Sequence, residues 1–223
     1  MQTLKIQPIL ILILIISLTS FHQDKPKILI IGDSISIGYT PYIKEKLKNE
    51  ATVYHNPGNA QHTGTGLEKI TEWIETDKWD IVQFNWGLWD LCYRHPDSKV
   101  QGNRDKVNGK ITYSIEEYVA NLDSIVNKLK TITEAKLIFV TTSYVPKGEA
   151  GRFKKDAIHF NEAAKKVMKK HAITVNDIYK QSIPIHKEFG KGQDDVHYSK
   201  QGYEYLGDHI ANFLRDEINK KGK

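Results

Sequence analysis

From residue 27 onward, short runs of β-branched and other apolar residues alternate with longer stretches whose apolar positions recur at helical spacing. Strands are expected at Ile28 to Ile31, Thr52 to Tyr54, Ile81 to Phe84, Leu137 to Val140 and Ile173 to Val175. Each is brief and lacks in/out alternation, the pattern of parallel strands covered on both faces. Between them, three sets trace single helical stripes: Leu67, Ile70 and Ile74; Tyr118, Leu122, Ile125 and Leu129; and Leu206, Ile210 and Phe213. Helix starts are expected at Thr40-Pro41, as N-cap and first-turn proline, and at Thr65 with Glu68 and Ser114 with Glu117, as capping boxes. Strand and helix alternating over residues 27–219, with no internal repeat or dividing linker, predict one α/β domain around a parallel sheet.

The segment before this pattern is of a different kind. Met1 to Gln7 carries one charge, Lys5, and leads into the nearly unbroken apolar run Ile9 to Leu18, followed by Thr19 and Ser20. The run has no polar face and falls short of the roughly 20 apolar residues that cross a bilayer. It reads as a secretory signal over residues 1–20. The mature chain is then exported, periplasmic or secreted, with no stable membrane insertion. No cysteine near the end of the run offers a site for a lipid anchor.

Composition narrows the class without naming a function. The 223 residues are 39% hydrophobic and 26% charged, which excludes disordered, collagen-like and polytopic membrane chains. The single cysteine, Cys92, has no partner for an intrachain bridge and reads as a small buried hydrophobe. The formal charge of +5 is concentrated between Arg152 and Lys170 and in the C-terminal lysines. On a helix from Phe153, the stripe Phe153, Ala157, Phe160, Ala164 and Val167 leaves Lys155, Lys165, Lys166, Lys169 and Lys170 outward, a solvated face. With no zinc-finger spacing, aromatic RNA-binding signature or basic arm, no nucleic-acid partner is expected. No His-Glu-x-x-His or phosphate-loop pattern occurs, so no metal and no cofactor are expected.

One stretch breaks the rhythm. Arg94 to Lys110 is a long polar connection after the third strand, with Pro96, Gly102 and Gly109. Ligands of open α/β sheets bind beyond the carboxyl ends of the strands, so this loop is expected to border a site.

Residues suited to chemistry stand at both ends of the domain. The first strand runs into Gly32-Asp33-Ser34, which puts a serine hydroxyl on a tight strand-to-helix turn at the sheet's carboxyl edge. Near the other end, Asp194-Asp195-Val196-His197 precedes the last helix, which Ser199 is placed to cap. Asp194 is spaced to hold the His197 imidazole as an outward-facing base, and Asp195 competes for that role. Taken alone, the serine reads more readily as a helix cap, and the acid-histidine pair equally as a helix-start acid with a surface histidine.

Together these residues resemble the SGNH hydrolases, or GDSL esterases. Gly32-Asp33-Ser34-Ile35-Ser36 is similar to that family's first block, and Asp194-x-x-His197 to its last. Gly58, in Asn56-Pro57-Gly58-Asn59, follows the second strand as the family's second-block glycine does. The resemblance spans Ile28 to Leu214. It implies a three-layer α/β/α sandwich with a five-stranded parallel sheet of flavodoxin-like kind. It also implies a triad of Ser34, Asp194 and His197, and an oxyanion hole using the backbone N–H groups of Ser34 and Gly58.

The third block departs from the family. In Asn85-Trp86-Gly87-Leu88-Trp89-Asp90, Trp89 stands where the family has an oxyanion-binding asparagine. Asn85 is the expected replacement donor, with the Trp89 indole as runner-up and a loop-tying role for Asn85 as the alternative. Trp86, Trp89, Asp90 and Tyr93 are candidate substrate-binding residues, the aromatic ones as a platform for sugar rings or as packing beneath the loop. Tyr144 and Pro146 are expected on the opposite wall, and Asn161 and His159 in structural roles. The expected activity is hydrolysis of carboxylic esters through an acyl-enzyme on Ser34, with O-acetyl or other small acyl groups on carbohydrates favoured over a lipid acyl hydrolase or thioesterase. A noncatalytic carbohydrate-binding protein on the same fold is the rival class.

Overall fold

The computed structural model describes residues 25–221, so the expected signal over 1–20 lies outside the described residues. The chain runs β1 (Lys27–Ile31), α1 (Ser34–Lys46), β2 (Thr52–His55), α2 (Thr63–Ile74), β3 (Ile81–Phe84), β4 (Tyr93–Arg94), β5 (Lys110–Ile111), α3 (Ile115–Ile132), β6 (Lys136–Val140), α4 (Lys154–Lys170), β7 (Thr174–Asn176), α5 (Tyr179–Phe189) and α6 (Lys200–Lys221). Five strands form a parallel sheet in the order β2-β1-β3-β6-β7. The expected strands recur to within a residue at each end.

Both faces of the sheet are covered. One face carries α1 and α6, with α5 against α6; the other carries α2, α3 and α4 packed in succession. This explains why β1 and β3 read as nearly continuous apolar runs, with Gln83 the polar exception in β3: Ile28, Ile30, Ile31, Ile81, Val82 and Phe84 are all buried. The α1–α6 contact is close. A side chain at Gly38 would meet the Tyr203 ring at 2.3 Å, so glycine lets the two helices approach. On α4 the stripe expected from Phe153 onward packs inward, with Ala157, Phe160, Ala164, Val167 and Met168 buried.

Two helix starts differ from expectation. The Thr40-Pro41 signal lies inside α1, which begins at Ser34 because Asp33 accepts the Ile35 N–H at 2.9 Å. Pro41 leaves the Ile37 carbonyl without its helical partner, and both residues are exposed, so water can solvate that carbonyl. The helix α2 starts two residues before Thr65. Thr63 donates its N–H and its hydroxyl to the buried Asp90 carboxylate, and His62 caps Thr65, so the Thr65–Glu68 box does not form. The Ser114–Glu117 capping box is present, and Ser199 accepts the Gly202 N–H at the start of α6.

The break between Arg94 and Lys110 is an excursion beyond β3. The strands β4 and β5 pair antiparallel, with a short 3-10 turn at Gln101–Asn103 between them. This excursion and the strand-order reversal between β1 and β3 place a cleft at the carboxyl edge of the sheet, where doubly wound folds bind ligands.

Candidate active site

Ser34 is the first residue of α1, immediately past β1. Its Oγ lies 2.9 Å from His197 Nε2. On the far side of the ring, His197 Nδ1 lies 2.5 Å from Asp195 Oδ1, and the same oxygen accepts the His197 backbone N–H at 2.9 Å. A hydroxyl, an imidazole and a carboxylate thus form one hydrogen-bonded chain, drawn from opposite ends of the sequence. Such a chain can pass the hydroxyl proton to the ring while the carboxylate stabilises the imidazolium that results. Burial pushes the Asp195 carboxyl up, but the two His197 hydrogen bonds, the imidazole charge and the more distant Arg104 outweigh it and hold the group below its ordinary range.

The orienting contact expected of Asp194 is therefore made by Asp195. The turn is tight enough for the acid two residues before the histidine to satisfy both its backbone and its ring, which leaves no place for Asp194.

A neighbouring serine offers a contrast. Ser36 Oγ lies 2.7 Å from His55 Nε2, but Ser36 is 1% exposed and also bonds the Asp33 carbonyl. It serves the packing of α1 against β2. Ser34 instead faces a cleft of about 250 Å³ together with His197, Asn59 and Trp89.

The second block is held from behind. Asn56 accepts the Gly32 N–H at 3.0 Å and donates to the Pro57 and Gly58 carbonyls, while the Ala60 N–H bonds Gly32 O. Gly58 is exposed with φ +68, a conformation natural to glycine, and its N–H has no partner among the described residues. Asn59 lines the cleft, with its Oδ1 occupied by the Gln61 N–H at 2.8 Å, which leaves its amide NH₂ to donate.

Four expected site residues lie elsewhere. Asn85 is buried outside the cleft and donates its Nδ2 to Val140 O at 2.7 Å, so it ties β3 to β6. Trp86 is fully buried, bonded to Ala60 O and packed on Gly66. Asp90 is fully buried beneath α2, where desolvation pushes its carboxyl up to about 6 against the opposing hydrogen bonds from Thr63. Tyr93 packs edge-to-face on Phe153. Of the candidate substrate contacts, Trp89 alone borders the cleft. The side chains just past β3 turn inward because the sheet edge there is roofed by α2, α3 and the β4–β5 excursion. Asn161 proves to be structural, gripping both backbone groups of Thr142. Tyr144 is buried against His186.

An ion network supports the cleft and has no motif-like signature. Glu149, fully buried, accepts Arg104 Nη1 at 2.5 Å, Arg152 Nη1 at 2.9 Å and the Gly151 N–H at 2.8 Å. Arg152 Nε reaches back to Leu88 O in the third block at 2.6 Å. Arg104 and Leu88 come from loops distant from the Glu149–Arg152 segment, so spacing in the sequence could not reveal the network. Cys92 is buried and unbridged, its thiol pushed up by burial. Among the described residues no group of three His, Cys, Asp or Glu side chains is placed to hold a metal ion. No helix among them is long and apolar enough to cross a membrane.

The doubly wound sheet, with a serine, a histidine and a carboxylate hydrogen-bonded at its carboxyl edge, defines an α/β protein of hydrolase type. The chain belongs to the GDSL-like lipase/acylhydrolase family, whose model matches residues 28–210, and it is an ester-bond hydrolase. The fold is that of several solved structures. A lipase/acylhydrolase from Enterococcus faecalis is 22% identical with a TM-score of 0.67, covering 86% of this chain and 96% of its own. The acetylxylan esterase Axe2 from Geobacillus stearothermophilus is 18% identical, TM-score 0.65, covering 85% and 94%. The acetyl xylan esterase AlAXEase is 15% identical, TM-score 0.66, covering 84% and 99%. No curated protein sequence matches the chain.

Proposed function

We propose that this protein is a serine esterase that removes acetyl or other small acyl groups from carbohydrates through an acyl-enzyme on Ser34. The observation that carries the reading is the Ser34–His197–Asp195 hydrogen-bonded chain opening into a small cleft. His197 takes the Ser34 proton as Oγ attacks the ester carbonyl, and Asp195 holds the ring and balances its charge. The backbone N–H groups of Ser34 and Gly58 and the Asn59 amide receive the oxyanion. His197 then returns the proton to the leaving sugar oxygen, and water releases the acyl group by the same steps reversed.

The small acyl group is supported by the cleft itself. Pockets for drug-sized ligands occupy roughly 300–1,000 Å³ and are mainly apolar. Here the cleft is about 250 Å³, lined by Leu88, Trp89 and Val196 together with polar and charged side chains. A long acyl chain would find little room. Acetylxylan esterases among the structural neighbours agree with a carbohydrate ester. The apolar run Ile9 to Leu18 would carry the enzyme out of the cytoplasm to such substrates.

The test is covalent labelling with an organophosphonate together with acyl-chain profiling. Labelling abolished in Ser34→Ala, with acetyl esters turned over faster than long-chain esters, is the expected result. Equal labelling of Ser34→Ala overturns the serine mechanism, and faster turnover of long-chain esters overturns the small-acyl preference.

A further inference from the structure

The β4–β5 excursion brings an unusual charge to the cleft. Three guanidinium groups, those of Arg94, Arg104 and Arg152, line the space that Ser34 faces, against one lining carboxylate, Asp33. Asp33 is 2% exposed and occupied in capping α1. Two of the arginines are accounted for by the fold. Arg104 and Arg152 share the buried Glu149, and Arg152 also bonds Leu88 O.

Arg94 is different. Its guanidinium carbon sits 4.7 Å from the centroid of the Trp89 ring, and its Nη1 donates to the Gly102 carbonyl. Among the described residues no carboxylate lies within ion-pair reach of it. It is half-buried, and burial together with the like charges of Arg152 and Arg104 holds it below the ordinary arginine range. A guanidinium stacked on an aromatic ring is pre-oriented, with N–H donors left in one plane for a partner. An incoming anion would meet a positive, partly desolvated wall beside the reacting serine.

We propose that Arg94, stacked on Trp89, receives a carboxylate carried by the ester substrate. A single guanidinium with a planar donor edge matches a monoanionic carboxylate, which it can bind through two parallel hydrogen bonds. The inference rests on the esterase reading and narrows its substrate to acidic esters. The carboxylate has two sources: the sugar, as in a uronic acid, or the acyl group, as in a hemisuccinate.

Two pairs of esters matched in size separate these cases with the full chain: acetylated glucuronic acid against acetylated glucose, and 4-nitrophenyl succinate against 4-nitrophenyl butyrate. In at least one pair, kcat/KM is expected to be about tenfold or more higher for the charged member, and that pair identifies which side carries the carboxylate. The preference should shrink as KCl rises, because a half-exposed charge is screened over about 10 Å at 0.1 M salt. Arg94→Gln should abolish most of the preference and Arg94→Lys restore part of it. If Arg94→Gln does not fold, the wild-type preference and its salt dependence decide the matter. Equal rates within both pairs overturn the carboxylate site and leave the esterase reading standing. No turnover of any of the four esters overturns both.

Discussion

Asp195 Oδ1 stands 2.5 Å from His197 Nδ1 and 2.9 Å from the His197 backbone nitrogen, so one carboxylate oxygen fixes both the ring and the main chain of the residue that faces Ser34. The acid that orients the imidazole is thus two positions before the histidine. Asp195→Asn should lower kcat on the order of 1,000- to 10,000-fold, because the wrong tautomer is favoured and the imidazolium loses its counter-charge. Asp194→Ala should change kcat less than about threefold. Steady-state kinetics on an acetyl ester checks both, and the reverse ranking would return the role to Asp194.

The proposed mechanism takes Asn59, which lines the cleft with its amide NH₂ free to donate, as the third oxyanion donor. Asn59→Ala should cost about 100- to 1,000-fold in kcat with KM little changed, the usual effect of removing one such donor. Trp89→Phe keeps the ring and removes the indole N–H. If that variant shows the large loss while Asn59→Ala does not, the donor is Trp89.

Asn85 has a separate expected signature. Its amide satisfies the buried Val140 carbonyl between β3 and β6. Asn85→Ala leaves that acceptor unpaired at a cost of roughly 1–3 kcal/mol, visible as a lowered Tm. Specific activity per folded molecule should be retained. A drop in kcat at unchanged Tm would place Asn85 in the chemistry after all.

Asp90 gives the fold a pH dependence. Desolvation raises its carboxyl to about 6 in the native state, above the ordinary 3.8. The native state therefore holds this proton more tightly than the unfolded chain. The contribution is fully present below about pH 4 and is lost as pH rises through about 6, amounting to roughly 3 kcal/mol. Asp90→Asn mimics the protonated form, so its stability relative to wild type should climb by about that amount between pH 4 and 7. Denaturant melts across that range check it, and a flat difference refutes it.

Glu149 is the one buried anion shared by Arg104 and Arg152. Glu149→Ala leaves both guanidiniums without it and should destabilise the protein by about 3–5 kcal/mol. It should also speed proteolysis within the 101–104 segment that Arg104 anchors. Thermal melts and limited proteolysis report the two effects separately.

Much of the fold was legible along the chain. Five short runs rich in β-branched residues are visible because the central strands are buried on both faces, which keeps them largely apolar, and this pattern survives whatever packs against it. The N-cap at Ser114 and the cap at Ser199 are equally local. The serine and histidine were legible too, since each sits at a junction between elements.

What the tertiary structure alone decided is everything that depends on where a side chain points after the elements pack. Thr40-Pro41 has the signature of a helix start, yet the helix begins at Ser34 because the Asp33 carboxylate caps it. Adjacent aspartates are equivalent on paper, and only the turn before α6 selects Asp195. Trp86, Asp90 and Asn85 sit in the stretch that follows β3, but α2, α3 and the β4–β5 excursion roof it and turn those side chains into the core. Glu149 and Arg104 meet across loops far apart in the chain. Local pattern determines which segments are strands and helices because propensity and burial act residue by residue. Direction, partner and accessibility are set by packing, which no single segment contains.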